Sequence, residues 1–285
     1  MDKKTKDRLK NIALALVFVL GLGLAAYPMI SNFYYRVEHD NQVANFIKER
    51  DKIDSEELSR RMDLARAYNE TLDPSRLADP YTEREEEGRA EYAKMLEVEE
   101  KLGFVDVPKI DQRLPVYAGT TDSILLKAAG HLEGTSLPIG GESTHAVVTA
   151  HRGLARAKLF RDLDRLKEGD VFYFTNIETT LAYQVDKVQV IEPWDFDPVL
   201  VKEGEDLMTL LTCTPYMINS HRLLVRGHRI DYDPYTIEKA SESSIGPSYK
   251  DMALISLVFL ALVLVIYIRS RIDYDKLRRG NKLDD

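Results

Sequence analysis

The chain has a single cysteine in 285 residues, Cys213. One thiol excludes an intramolecular disulfide and any multi-cysteine metal site. Basic residues are outnumbered, with 39 Lys+Arg against 47 Asp+Glu and a net charge of −8. That balance argues against a general nucleic-acid role, because neutralising phosphates needs basic patches. The sequence has no nucleotide-binding glycine loop, no credible metal cluster and no internal repeat, so no cofactor is implied. What is present is unevenly distributed. The first eleven residues carry +3 and the residues after Ile268 carry +2, which leaves −13 on the stretch between them.

Two uncharged apolar runs flank that acidic middle, Ile12–Ile30 and Met252–Ile268. The first would reach roughly 28 Å as a helix, close to the hydrocarbon thickness of a bilayer. With basic residues outside both runs, the expectation is two transmembrane helices, both termini cytoplasmic and the acidic middle outside the cell. The expected layout is a basic tail over 1–11, a span over 12–30 and a helical region over 31–103 containing a loop at 72–88. A β-rich domain over 104–232 follows, then a linker over 233–251, a second span over 252–268 and a basic tail over 269–285.

Within the helical region, Asp54-Ser-Glu-Glu57 reads as an N-cap with a capping-box glutamate, and Leu58, Met62, Ala65 and Tyr68 then share one helix face. Glu91 to Leu102 predicts another short helix stopped by Gly103. The loop between them contains Asp73-Pro74 and Asp79-Pro80-Tyr81, and its prolines rule out a continuous helix. From Phe104 onward the texture changes to short β-type runs: 105–110, 114–117, 146–149, 171–174, 181–185, 207–212 and 222–226. Many short strands separated by Gly, Pro and Asp suggest a closed or nearly closed barrel.

Cys213 ends one of these runs and precedes Thr214-Pro215, a strand end where a side chain can face solvent. A lone cysteine in a chain that also offers histidines is a candidate nucleophile; the alternative is a buried thiol that only packs. A free thiol is only a few per cent thiolate at neutral pH and needs a base or a cation nearby. The histidines are His39, His131, His145, His151, His221 and His228. His151 follows a β-run and precedes Arg152-Gly153, a strand-to-loop junction like that of Cys213. On spacing alone His221 and His228 compete with it. Acyl transfer also needs a donor for the oxyanion; Arg222, Leu224 and Arg226 share one strand face, so at least one arginine could return beside the thiol, the alternative being solvated strand residues.

The segment Thr209-Leu-Leu-Thr-Cys213 resembles the TLxTC signature of sortases, the membrane-anchored cysteine transpeptidases of Gram-positive bacteria. Thr149-Ala-His151-Arg-Gly153 is similar to the family's histidine segment, and Arg222 falls where its arginine does. The stretches 131–141 and 219–228 and the helical N-terminal extension resemble class C, the pilin-polymerising branch. The resemblance implies a mainly β fold, an eight-stranded sortase-type barrel with N-terminal helices and a lid loop. It implies Cys213 as nucleophile, His151 as general acid/base and Arg222 as the group steadying the oxyanion or the substrate. It also implies that Asp79, Pro80 and Tyr81 form the lid, with Asp79 pairing with Arg222 and Tyr81 covering Cys213. Its partners would be pilin subunits carrying LPxTG-like sorting signals and an acceptor lysine. The alternatives are a sortase that anchors proteins to peptidoglycan, a hydrolytic cysteine protease, and a non-catalytic membrane-tethered pilin scaffold.

Overall fold

Runs of β-branched and aromatic residues broken by turn formers fold into eight strands that close on themselves. The structure, a computed structural model, describes residues 3–72, 77, 79, 81, 91–152, 154 and 157–233. Two helices come first, α1 (Lys3–Arg50) and α2 (Ser55–Glu70). The strands are β1 (Lys101–Val107), β2 (Gln112–Ala118), β3 (Ala129–His131), β4 (Thr144–Thr149), β5 (Val171–Thr175), β6 (Thr180–Ile191), β7 (Asp206–Thr214) and β8 (His221–Ile230). A one-turn helix, α3 (Asp122–Leu125), joins β2 to β3. Around the barrel the order is β1-β2-β3-β4-β7-β8-β6-β5, with β5 pairing back onto β1. Closure leaves no open sheet edge among the described strands. All of this lies in the compact unit Met1–Ser244; the other unit, Ile245–Asp285, is outside the described residues.

The barrel interior is filled by one face of each strand, including Val105, Leu114, Val116, Val148, Phe172, Tyr183, Leu210 and Val225. Phe172 and Tyr183 stack with ring centroids 5.7 Å apart. The opposite face of β1 carries a second core, in which Leu102 and Phe104 meet Val43 and Phe46 of α1, Met62 and Ala65 of α2, and Leu96. Phe46 is fully buried and sits edge-on to Phe104 at 6.2 Å. Burying such a side chain contributes about 1.5–3 kcal/mol, so a few of them fix the helical region to the barrel wall.

The start of α2 follows its expected cap, with the Asp54 side chain accepting from the Glu57 amide at 2.9 Å. Glu57 does not complete a capping box; its carboxylate pairs with Arg60 and Arg61. The helix expected over Glu91–Leu102 is shorter, a 3₁₀ turn at Glu91–Leu96. Glu99 and Glu100 take positive φ, and Val98 bridges to Lys101, so the chain reverses and Leu102 enters β1.

The expected pair of membrane spans is not supported by the described structure. The run Ile12–Ile30 continues without a break into the charged turns of α1, and among the described residues no helix is long and apolar enough to cross a membrane. The second run, 252–268, lies outside the described residues, as do the tail 269–285 and the linker after Asp233.

Two buried histidines brace the barrel as neutral rings. His131 Nε2 donates to Ser136 O at 2.8 Å, and its Nδ1 lies 2.8 Å from the Tyr92 hydroxyl. His145 Nδ1 donates to Leu200 O at 3.0 Å, and its Nε2 accepts from Thr209 Oγ1 at 2.8 Å. Burial lowers both to about 4 from an ordinary 6.5. Between those values the unfolded chain binds the protons that the folded chain refuses, so stability is full above about pH 6.5 and is lost as pH falls toward 4. Each ring contributes up to about 3 kcal/mol to that loss. Urea unfolding measured from pH 7 to pH 4 should show this decline, and His145→Gln should reduce its slope. A flat stability profile would contradict the neutral-ring assignment.

Candidate active site

β4 and β7 run parallel, with Thr149 opposite Leu211. Two residues further along both chains, at about 3.3 Å per residue, His151 comes level with Cys213. β8 runs antiparallel to β7 and sets Arg222 directly opposite Cys213. The three residues singled out for acyl transfer therefore meet at one rim of the barrel, where β4, β7 and β8 lie side by side. The competing histidines are elsewhere. His221 pairs with Thr214, one position off Arg222 and so on the other strand face, and its Nε2 lies 3.3 Å from Glu192. His228 is opposite Leu207, at the far end of β7. His39 is buried on α1 with Nε2 2.7 Å from Lys127 O.

Cys213 is 4% exposed and Arg222 2%. Arg222 Nη1 donates to Asn219 O and His221 O, both at 3.0 Å, which fixes the plane of the guanidinium. Its remaining edge grips Asp79 bidentately, Nε to Oδ1 at 2.6 Å and Nη2 to Oδ2 at 2.5 Å. The Tyr81 ring lies 5.1 Å from the Arg222 guanidinium carbon and 5.2 Å from the His151 ring. Its hydroxyl donates to Ala150 O at 2.7 Å and sits 2.7 Å from Thr149 Oγ1. Leu77 and Tyr81 pack onto an apolar floor of Leu132, Val147, Val199, Leu211 and Leu224. Pro80 and most of the loop 72–88 lie outside the described residues.

Residues 105–230 match the sortase domain. Among solved structures, the chain is 55% identical to a pilus-related sortase C of Group B Streptococcus, covering 67% of this chain and 97% of that one, with a TM-score of 0.65. It is 58% identical to sortase C-1 from Streptococcus pneumoniae, covering 68% of this chain and all of that one, with a TM-score of 0.66. The chain belongs to the sortase family. A more distant relative is sortase A of Bacillus anthracis, 26% identical over 223 residues, which are 78% of this chain and 95% of that protein.

In this sortase the covered site is electrically quiet. Burial pushes the Cys213 thiol up to about 11; Arg222 and Arg152 pull it down, and the Asp79 carboxylate pushes it further up. Burial also lowers His151, partly offset by the charge of Asp122. Thiol and imidazole are therefore both held neutral. Arg152 was not singled out from the sequence, yet it is 7% exposed and donates to Thr214 Oγ1, next to the nucleophile candidate. Its sole signal in the sequence was its place directly after His151.

The covering pair should control reactivity. Replacing Asp79 and Tyr81 together by Ala removes a negative charge and the covering ring, so the thiol pKa falls from about 11. Each unit of fall gives about tenfold more thiolate well below the pKa. Alkylation of Cys213 by iodoacetamide at pH 8 should accelerate at least about tenfold, and an unchanged rate would refute the lid role.

Proposed function

We propose that this sortase is a class C transpeptidase that cleaves an LPxTG-like sorting signal of a pilin and joins it to a lysine of another pilin subunit. The observation that carries this reading is the level placement of His151, Cys213 and Arg222 across β4, β7 and β8. The likeness to pilus sortases at 55–58% identity supports the choice of pilin over other acceptors.

Each residue has a stated part. Once Asp79 has left Arg222, His151 takes the Cys213 thiol proton; the thiolate attacks the threonine carbonyl carbon, and a C–S bond forms as the oxygen takes up negative charge. Arg222, released from Asp79, donates to that oxygen or holds the substrate; a preorganised donor of this kind typically accounts for 10²–10³ in rate. The Thr–Gly C–N bond breaks, His151 gives the leaving amine its proton, and a thioacyl-enzyme remains. A lysine Nζ of the next subunit then attacks the thioester carbonyl, His151 takes the amine proton, and the thiolate leaves. The product is an isopeptide bond, with no net oxidation and no cofactor.

Asp79, Pro80 and Tyr81 act as a lid in this scheme. The Asp79 carboxylate occupies the guanidinium edge that the substrate oxygen requires, and Tyr81 fills the apolar floor where the sorting signal would lie. For localisation, sortase membership supports association with the membrane of a Gram-positive cell. The exposed apolar side chains Leu16, Leu20, Leu24 and Ile30 along α1 offer a surface for it. The basic residues before Ile12 support a cytoplasmic start, with the barrel outside.

The test uses the full chain carrying Asp79→Ala and Tyr81→Ala, mixed with a pilin that retains its sorting signal and followed by mass spectrometry. A lysine-linked ladder that disappears in Cys213→Ala is the expected result. A thioacyl adduct that yields only hydrolysed product or wall-peptide conjugate would reassign the enzyme to anchoring or hydrolysis. A ladder that persists in Cys213→Ala would exclude Cys213 as nucleophile.

A further inference from the structure

Arg152 holds together the two strand ends that the proposed mechanism uses. It directly follows His151, and its Nη1 donates to the Oγ1 of Thr214, which directly follows Cys213, at 2.7 Å. Its Nη2 meets Asp164 Oδ2 at 2.5 Å, and its Nε donates to Arg161 O at 3.2 Å. The Phe160 amide donates to His151 O at 3.1 Å, so the excursion after His151 is pinned at its neck by two bonds. One planar guanidinium thus reaches in three directions, a geometry that a lysine ammonium does not reproduce.

Stability alone accounts poorly for this arrangement. The Arg152 side chain is 8% exposed, but its carboxylate partner Asp164 is 49% exposed. Burying a guanidinium carries a desolvation cost, and an ion pair with a half-exposed partner returns little of it. The charge does, however, sit at the strand end that bears Cys213, on the face of Thr214, and its field reaches the thiol. The charged groups whose fields reach the thiol are Arg222 and Asp79 from β8 and the lid, and Arg152 from the end of β4. The His151 and Tyr81 rings lie against the same pocket.

We propose that Arg152 is a positioning residue, tying the strand end that bears His151 to the strand end that bears Cys213 and holding a fixed positive charge there. Arg222 changes partners during the reaction, from Asp79 to substrate; Arg152 keeps the same three contacts throughout. The inference rests on the reading of Cys213 as nucleophile and His151 as acid/base.

The test uses the full chain with Asp79→Ala and Tyr81→Ala, so that access does not limit the thiol, and adds Arg152→Met, Arg152→Lys or Thr214→Val. Three quantities are read: the thermal midpoint, the pH midpoint of iodoacetamide alkylation, and the rate of thioacyl formation with a Leu-Pro-x-Thr-Gly peptide. Arg152→Met should raise the alkylation midpoint by up to about one unit, since a positive charge whose field reaches the thiol is lost. It should also slow thioacylation by about 100-fold, as a misplacement of about 1 Å can. Arg152→Lys should restore the midpoint and leave the rate depressed, because the charge returns without the fork. Thr214→Val should leave the midpoint in place and slow the rate about tenfold, since only the tie is cut. Parent values for both midpoint and rate in Arg152→Met would overturn the proposal. So would a rate that falls only in step with the thermal midpoint while the alkylation midpoint stays put. Failure of the parent to form a Cys213-dependent thioacyl adduct would instead sink the nucleophile reading, and this inference with it.

Discussion

The parallel pairing of β4 with β7 is the constraint on which the site depends. A parallel pair cannot be joined by a tight hairpin, so the two strands come from distant parts of the chain, Thr144–Thr149 and Asp206–Thr214. Their common direction makes both strands end at the same rim, which puts His151 and Cys213 at one height. An antiparallel pairing would send the histidine to the opposite end of the barrel. The antiparallel turn from β7 to β8 then returns Arg222 to the same level. A one-residue slip would swap its face with that of His221, so the register decides which side chain meets the thiol.

The Asp79–Arg222 pair sits on top of that frame and sets the conditions for opening it. Both side chains are nearly inaccessible, at 5% and 3% exposed. Removing one partner of such a buried pair typically costs 3–5 kcal/mol, because the other charge is left uncompensated. On the proposed lid reading, opening is favourable only when the guanidinium acquires another acceptor. Arg222 keeps its two backbone acceptors, Asn219 O and His221 O, in either case, so the guanidinium is already oriented when Asp79 leaves. A substrate carbonyl that gains negative charge during attack is the replacement the geometry favours.

Much of this was legible in the sequence, and the exceptions have physical reasons. The β-rich texture, the Asp54 cap and the strand ends at His151 and Cys213 are local properties, and the structure agrees with them. β3 was missed because Ala129-Gly-His131 has no β-branched residue and spans only three positions; it is a strand because β2 and β4 supply its partners. The helix expected through Leu102 failed because Leu102 and Phe104 gain more by packing under α1 and α2 than by continuing a charged helix. Choosing among the histidines needed strand register, which spacing does not contain, and family resemblance supplied it in advance. Arg152 was invisible for a different reason: an arginine after a strand is ordinarily solvated, and its burial against Thr214 is a tertiary fact.

Burial at the site also accounts for a thiol that rests protonated. With the thiol held at about 11, forming the thiolate at pH 7 costs about 5 kcal/mol, a resting population of roughly one in ten thousand. The lowered basicity of His151 works in the same direction, since a poor base does not draw the proton across. Both conditions come mainly from burial, and Asp79 adds its charge to the thiol's side. On the proposed lid reading, departure of Asp79 and Tyr81 does more than clear a path: it removes the carboxylate and readmits polar groups around Cys213, while Arg152 and Arg222 stay in place. In the proposed scheme, opening relieves part of the burial that weakens His151, so that it can take the thiol proton in the first half-reaction and the lysine proton in the second. The proposed lid thereby couples access, thiol acidity and base strength to one movement, that of Asp79 and Tyr81.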